Sequence, residues 1–303
     1  MDPRYTVSGT VCLAAMSNPL SADSVRLIGL LESLLGSWGA SVMETPSLRE
    51  TVFRPEGLFA RRSSEMADIM RSSPPAYVFD LSGGDIASAV LEHIEFDLIS
   101  SCDTVFCGYS DLTSLMNAVL AVTGKCSLLY QILNVFRGAG DVRIGELSGF
   151  LHAPDRDVSL VSPRGTFLRG NFMRGILAGG NIRCFLKLAG TPFFPPLDGR
   201  ILLLEQFHGS AELLTSQLAQ LRLMGVFDRI SGLILGTFTE LESRGYDVFE
   251  DLIRHFLPET LPVFNTGEVG HDPGSRGVIL GAEYVVQGKY CRPVISSYRF
   301  PRL

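Results

Sequence analysis

The chain has 303 residues, of which 46% are hydrophobic and 19% charged, with a net charge of −6. That length holds two packed domains or one large one, and the composition excludes a disordered chain. The acidic balance argues against a nucleic-acid surface, which would be basic. Six cysteines without any CxxC spacing, mostly in apolar surroundings such as Val11-Cys12-Leu13, read as buried free thiols. The apolar run Val11–Met16 lacks the length and basic flank of a signal peptide, and no stretch reaches the roughly 18 apolar residues of a membrane span. A cytoplasmic protein that engages neither nucleic acid nor membrane is expected.

In chain order, Val7–Met16 reads as a strand and Ser21–Trp38 as an amphipathic helix behind a Ser/Asp cap. A short strand begins at Val42, Ser63–Met70 is helical, and Ala76–Leu81 is an apolar strand ending at Gly83-Gly84. Ile86–Ile94 is helical, Asp103–Gly108 a strand, and Leu112–Thr123 a helix directly behind it. Repeated strand-then-helix order implies a parallel sheet flanked by helices, with ligands bound beyond the carboxyl ends of its strands. From Arg137 to Arg169, glycines, prolines and aspartates interrupt the pattern, which marks a crossing between domains. Beyond it come the strand Ile201–Leu204, the helix Ala211–Met224, a strand at Gly232–Leu235, a helix at Val248–Phe256 and short closing strands. The domains are therefore expected at 1–136 and 170–303, with 137–169 between them.

Ser110 is the first candidate for chemistry. A strand running into the turn Gly108-Tyr109-Ser110-Asp111 and then a helix exposes the turn hydroxyl, with the N–H of Asp111 free to meet a developing oxyanion. Taken alone, a Ser before an Asp also reads as a plain helix cap. Ser82-Gly83-Gly84-Asp85 is either a second source of an oxyanion donor, through an N–H of this loop, or a tight turn. Of five histidines, His271 sits in Gly270-His271-Asp272-Pro273-Gly274, a loop suited to an unusual backbone path. Glu205 closes an apolar strand, where a carboxylate needs a partner: an oriented histidine or a structural ion pair. No cluster has metal-ligand spacing, and Gly179–Leu186 lacks the spacing of a phosphate loop. A metal-free, cofactor-free protein is expected.

These segments together resemble the LD-carboxypeptidases, including the microcin C immunity branch. The resemblance rests on Gly108–Asp111 with Leu112–Leu115, Gly83-Gly84-Asp85, Leu91–Phe96, Gly179–Asn181, Leu188–Thr191, Leu197–Gly199 with Ile201–Glu205, Gly225–Phe238 and Leu261–His271. It implies an α/β fold: an N-terminal Rossmann-like parallel-sheet domain and a C-terminal mixed α/β domain, with the active site in the cleft between them. It further implies a serine carboxypeptidase or amidohydrolase with Ser110 as nucleophile, His271 as base, Glu205 orienting the imidazole, and an oxyanion hole from the N–H groups of Gly84 and Asp111. A small peptide or aminoacyl-conjugate substrate and a homodimer are the implied partners. Three segments depart from the family pattern: Gln206 replaces its Asp, Lys125–Tyr130 lacks its HGP, and Asn18-Pro19 stands in a loop that is usually SSP. These departures leave the substrate open, with an acyl-transferring relative and a catalytically weak binding protein as alternatives.

Overall fold

A computed structural model describes residues 9–138, 140–243 and 249–303. Two sheets organise it. The first contains β1 (Thr10–Ala14), β2 (Ser41–Glu44), β3 (Tyr77–Asp80), β4 (Val105–Gly108) and β5 (Ser127–Leu129), all parallel. Apart from the edge strand β2, the strands are short and almost wholly buried, as a sheet covered on both faces requires. Their connections are helical: α1 (Ala22–Ser37), α2 (Leu58–Ser72), a 3-10 turn (Ala87–His93), α3 (Phe96–Ser101) and α4 (Leu112–Thr123). Helix α1 begins where the Ser21 hydroxyl accepts from the Ser24 N–H, and it buries Ser24, Ile28, Leu31 and Leu35 on one face.

The stretch expected to be an irregular crossing holds α5 (Gly140–His152) and β6 (Thr166–Arg169). In the second sheet, β7 (Phe172–Asn181), β8 (Ile201–Gln206), β9 (Gly232–Phe238) and β10 (Val263–Asn265) run parallel. β6 pairs antiparallel with β10 at one edge. At the other, β12 (Glu283–Gln287) and β13 (Tyr290–Pro293) fold back on β7. Helices α6 (Ile182–Leu186), α7 (Ala211–Leu223), α8 (Thr239–Ser243) and α9 (Phe249–Phe256) complete this half. On α7, Leu214, Leu218 and Leu221 are buried at helical spacing, each contributing about 1.5–3 kcal/mol of transfer free energy. Val248, expected to open α9, lies outside the described residues, as does Val7 of the first expected strand.

One strand ties the halves together: β11 (Val278–Leu280), late in the chain, pairs antiparallel with β5 on the first sheet. The larger hydrophobic cluster accordingly runs from the first sheet into Leu177, Ile201, Leu203, Ile234 and Phe264 of the second. Strand order in the first sheet is β11-β5-β4-β3-β1-β2, so the chain reverses its direction of growth between β1 and β3. That reversal opens a crevice at the carboxyl edge, where open α/β sheets bind ligands. No helix among the described residues is long and apolar enough to cross a membrane.

Candidate active site

Three neighbouring strands of the first sheet deliver the site's first half. Past β4 the chain turns so sharply that Ser110 adopts φ 57°, the one left-handed non-glycine backbone among the described residues. This conformation costs a serine roughly 1–2 kcal/mol and lifts its side chain out of the turn, in the manner of a nucleophile elbow. Helix α4 starts two residues later, so the turn also lies at a helix N-terminus. Past β3, Gly83 approaches so closely that a methyl group there would lie 3.9 Å from Ser110 Oγ.

Past β1 comes Asn18, which holds the glycine loop twice. Its N–H donates to Gly83 O (3.2 Å), and its Oδ1 accepts from the Asp85 N–H (3.0 Å). Because a trans peptide points its C=O and N–H in opposite directions, the first bond turns the Gly84 N–H away from Asn18. Gly84 can occupy this place only as glycine: its φ is 131°, and any Cβ would fall 2.1 Å from Asn18 Cγ. Neither the Gly84 N–H nor the Asp111 N–H has an acceptor among the described residues.

Asp111 itself is fully buried, which a carboxylate tolerates only when partnered. It accepts from Ser17 Oγ (2.6 Å) and the Ala87 N–H (2.7 Å) and pairs with Lys187, whose Nζ also donates to Asp85 O (2.8 Å). One turn earlier on the same segment, Arg183 pairs with Asp85 and donates to Gly84 O (2.8 Å). Two cations from the second half thus grip the glycine loop and the serine turn of the first.

The second sheet delivers the other half from its own carboxyl edge. Glu205 lies within β8 rather than at its end, at a break in register against β9, and is fully buried. Gly236 on β9 makes room for it, since a Cβ there would lie 2.9 Å from Glu205 Cβ. Glu205 Oε2 is 2.8 Å from Nδ1 of His271, in the loop after β10. With a carboxylate as acceptor, the imidazole carries its proton on Nδ1 and leaves Nε2 able to accept one. Phe207 stacks on the ring (centroids 4.7 Å, planes 19° apart), and Tyr109 meets it edge-on at 5.1 Å. The Tyr109 phenol is held protonated, its pKa pushed well above the usual value by burial first and then by the Glu205 and Asp272 carboxylates.

All five expected site residues therefore gather at the facing edges of the two sheets. Ser110 and Gly84 line two adjoining cavities. The larger, about 640 Å3, reaches Arg183, Gln206, Phe207 and Glu240; the smaller, about 390 Å3, contains His271 and Arg137. His208, three positions beyond Glu205, instead faces Glu240 at 3.7 Å with its side chain exposed. Sequence reading missed the brackets around the imidazole, Tyr109 and Phe207, and the clamps Lys187 and Arg183. Asn18 was visible only as a departure from a pattern. No group of three or more His, Cys, Asp or Glu among the described residues is placed to hold a metal ion, and all six cysteines are unpaired.

This two-sheet architecture has counterparts in one family. Residues 11–130 match the LD-carboxypeptidase N-terminal domain and residues 174–286 the LD-carboxypeptidase C-terminal domain, and the chain belongs to that family. The class of enzyme is accordingly the serine-type carboxypeptidase.

Among individual relatives, a probable murein peptide carboxypeptidase of Bacillus subtilis is 23% identical, covering 91% of this chain and 86% of its own. A putative carboxypeptidase of Streptomyces coelicolor is 28% identical over 92% and 90%. Two solved structures share the fold. The microcin C7 self-immunity protein, named for Escherichia coli among the relatives, superposes with TM-score 0.82 at 17% identity over 98% of both chains. A muramoyltetrapeptide carboxypeptidase from Oxalobacter formigenes gives 0.76 at 21% identity over 96% and 99%.

Proposed function

We propose that this protein hydrolyses an amide bond near the C-terminus of a peptide or peptide-like conjugate, through an acyl-enzyme on Ser110. The carrying observation is the 2.8 Å Glu205–His271 pair bordering the cavity on which the strained Ser110 turn opens. Ser110 Oγ attacks the carbonyl carbon as His271 Nε2 takes its proton, while Glu205 steadies the imidazolium across Nδ1. The oxyanion forms against the unengaged N–H groups of Gly84 and Asp111, at the positive end of α4. Collapse breaks the C–N bond, and the leaving nitrogen receives the proton from His271. Water, deprotonated by the same imidazole, then adds to the ester carbonyl and frees Ser110.

Relatives named for murein peptides, and structures of the microcin immunity protein solved with glutamyl sulfamoyl guanosine, support a small peptide or aminoacyl-conjugate substrate. The protein works in the cytoplasm as a homodimer, an assembly that light scattering after gel filtration reads directly.

A fluorophosphonate probe tests the reading. It should add one covalent mass to the wild type, located on Ser110, and none to Ser110→Ala. His271→Ala should lower turnover by a factor on the order of 10³ or more, and His208→Ala far less. Labelling elsewhere, or a His271→Ala variant with near-normal rates, refutes the assignment.

A further inference from the structure

The two cavities that meet at Ser110 differ in one respect that bears on direction. His271 lines the smaller cavity and not the larger. An imidazole that deprotonates the nucleophile must next protonate the leaving nitrogen, so the leaving group lies on the imidazole's side. Resting on the catalytic assignment above, that places the released amine in the 390 Å3 cavity and the acyl portion in the 640 Å3 one.

The charges of the two cavities are unlike. Asp85, Arg183, His208 and Glu240 line the larger, with both signs present. Among the described residues, no carboxylate lines the smaller; its titratable side chains are His271, the buried Tyr109 and Arg137. Arg137 follows the 3-10 turn Ile132–Phe136, and its Nη2 donates to Ser24 Oγ at 3.0 Å. It makes no ion pair among the described residues, whereas Arg183, Arg143 and Arg276 each have an acidic partner. Asn134 and Gln131 stand beside it on the same wall. A guanidinium steadied by a hydroxyl, with no acid to neutralise it, is a receptor for a carboxylate.

We infer that Arg137 is the group that binds the free carboxylate of the departing portion, and thus the residue that sets the preference for a free C-terminus over an amidated or extended end.

Matched peptides ending in D-alanine or L-alanine, each as free acid and as C-terminal amide, test this. Wild-type kcat/KM should favour the acid by 100-fold or more. Arg137→Gln should cut the preference to a few-fold, by losing rate on the acid and not on the amide. In parallel, the same pairs are titrated calorimetrically into Ser110→Ala and into Ser110→Ala/Arg137→Gln. The acid should bind at least 10-fold tighter than the amide to the first, and equally to the second. Equal use of acid and amide by the wild type, or a preference that survives Arg137→Gln, overturns the inference while leaving the serine mechanism standing. Absence of probe labelling at Ser110 overturns the mechanism instead, and the titrations still decide the carboxylate site.

Discussion

Asn18 touches neither the nucleophile's hydroxyl nor the imidazole in any hydrogen bond, yet it sets the direction of the Gly84 N–H through Gly83 O and fixes Asp85 on the other side. Asn18→Ala keeps the backbone bond and removes the side-chain one, which frees the loop to rock. The expected result is a fall in kcat on the order of 10-fold with KM changed much less, since an oxyanion donor acts mainly in the transition state. Unchanged kcat, or a loss confined to KM, contradicts this role. Gln206 poses the opposite case. Its amide is buried with neither Oε1 nor Nε2 bonded among the described residues, and it lines the larger cavity. Gln206→Leu should leave stability within about 1 kcal/mol, because no internal bond is lost, while raising KM for the acyl portion. Urea melts and initial rates separate the two effects.

Among elements, the ends of β1 and β3 carry a charge the mechanism does not use. Asp80 is buried and accepts from the Met16 N–H (2.6 Å), the Ser82 N–H (2.8 Å) and Ser82 Oγ (2.5 Å). Burial pushes its carboxyl up to about 6, against the pull of those bonds and of the nearby Arg62. In the unfolded chain an aspartic acid titrates near 4, so between pH ~4 and ~6 the folded protein holds the extra proton. This contribution to stability is full below pH ~4 and is lost as pH rises through ~6, by up to about 3 kcal/mol. Asp80→Asn removes the titration. Relative to wild type, the variant should therefore gain stability from pH 4 to pH 7, read from urea midpoints; a pH-independent difference refutes it.

Elements also show what the sequence made legible. The strand-then-helix order was readable because β1, β3 and β4 are short apolar runs and α1 and α2 bury residues at helical spacing. Glu205 was readable because a carboxylate behind four apolar residues demands a partner. Helix α5 was not, since three glycines break its sequence and only Leu147, Phe150 and Leu151 are buried. β6 was hidden for another reason: an edge strand of alternating partial exposure carries little apolar signal. β11 is three apolar residues whose partner lies some 150 positions away, and nothing local specifies such a pairing. Nothing in the local sequence marks Lys187 and Arg183, which the fold alone brings to Asp111 and Asp85.

For the whole molecule, the last residues act on the first layer. Tyr298 OH donates to Pro154 O (2.6 Å), Tyr77 OH to Pro301 O (2.6 Å), and the Leu303 N–H to Leu151 O (2.9 Å). Phe300 packs its ring against Tyr77, Phe150 and Tyr298. Removing 298–303 should destabilise the fold by several kcal/mol, on the order of a large-to-small core substitution, and lower the melting midpoint in calorimetry. A truncated chain that melts like the full one contradicts this.

The pairing of β11 with β5 has a consequence for synthesis. Emerging from a ribosome, the chain completes Asn18, the glycine loop and the serine turn within its first 130 residues, while β5 remains an open edge offering unpaired backbone to any passing strand. The strand that seals this edge follows His271 by only a few residues. The imidazole that would arm Ser110 and the strand that protects its sheet are therefore translated almost together. On the proposed mechanism, a partly made chain lacks its base throughout the interval in which the β5 edge stands open.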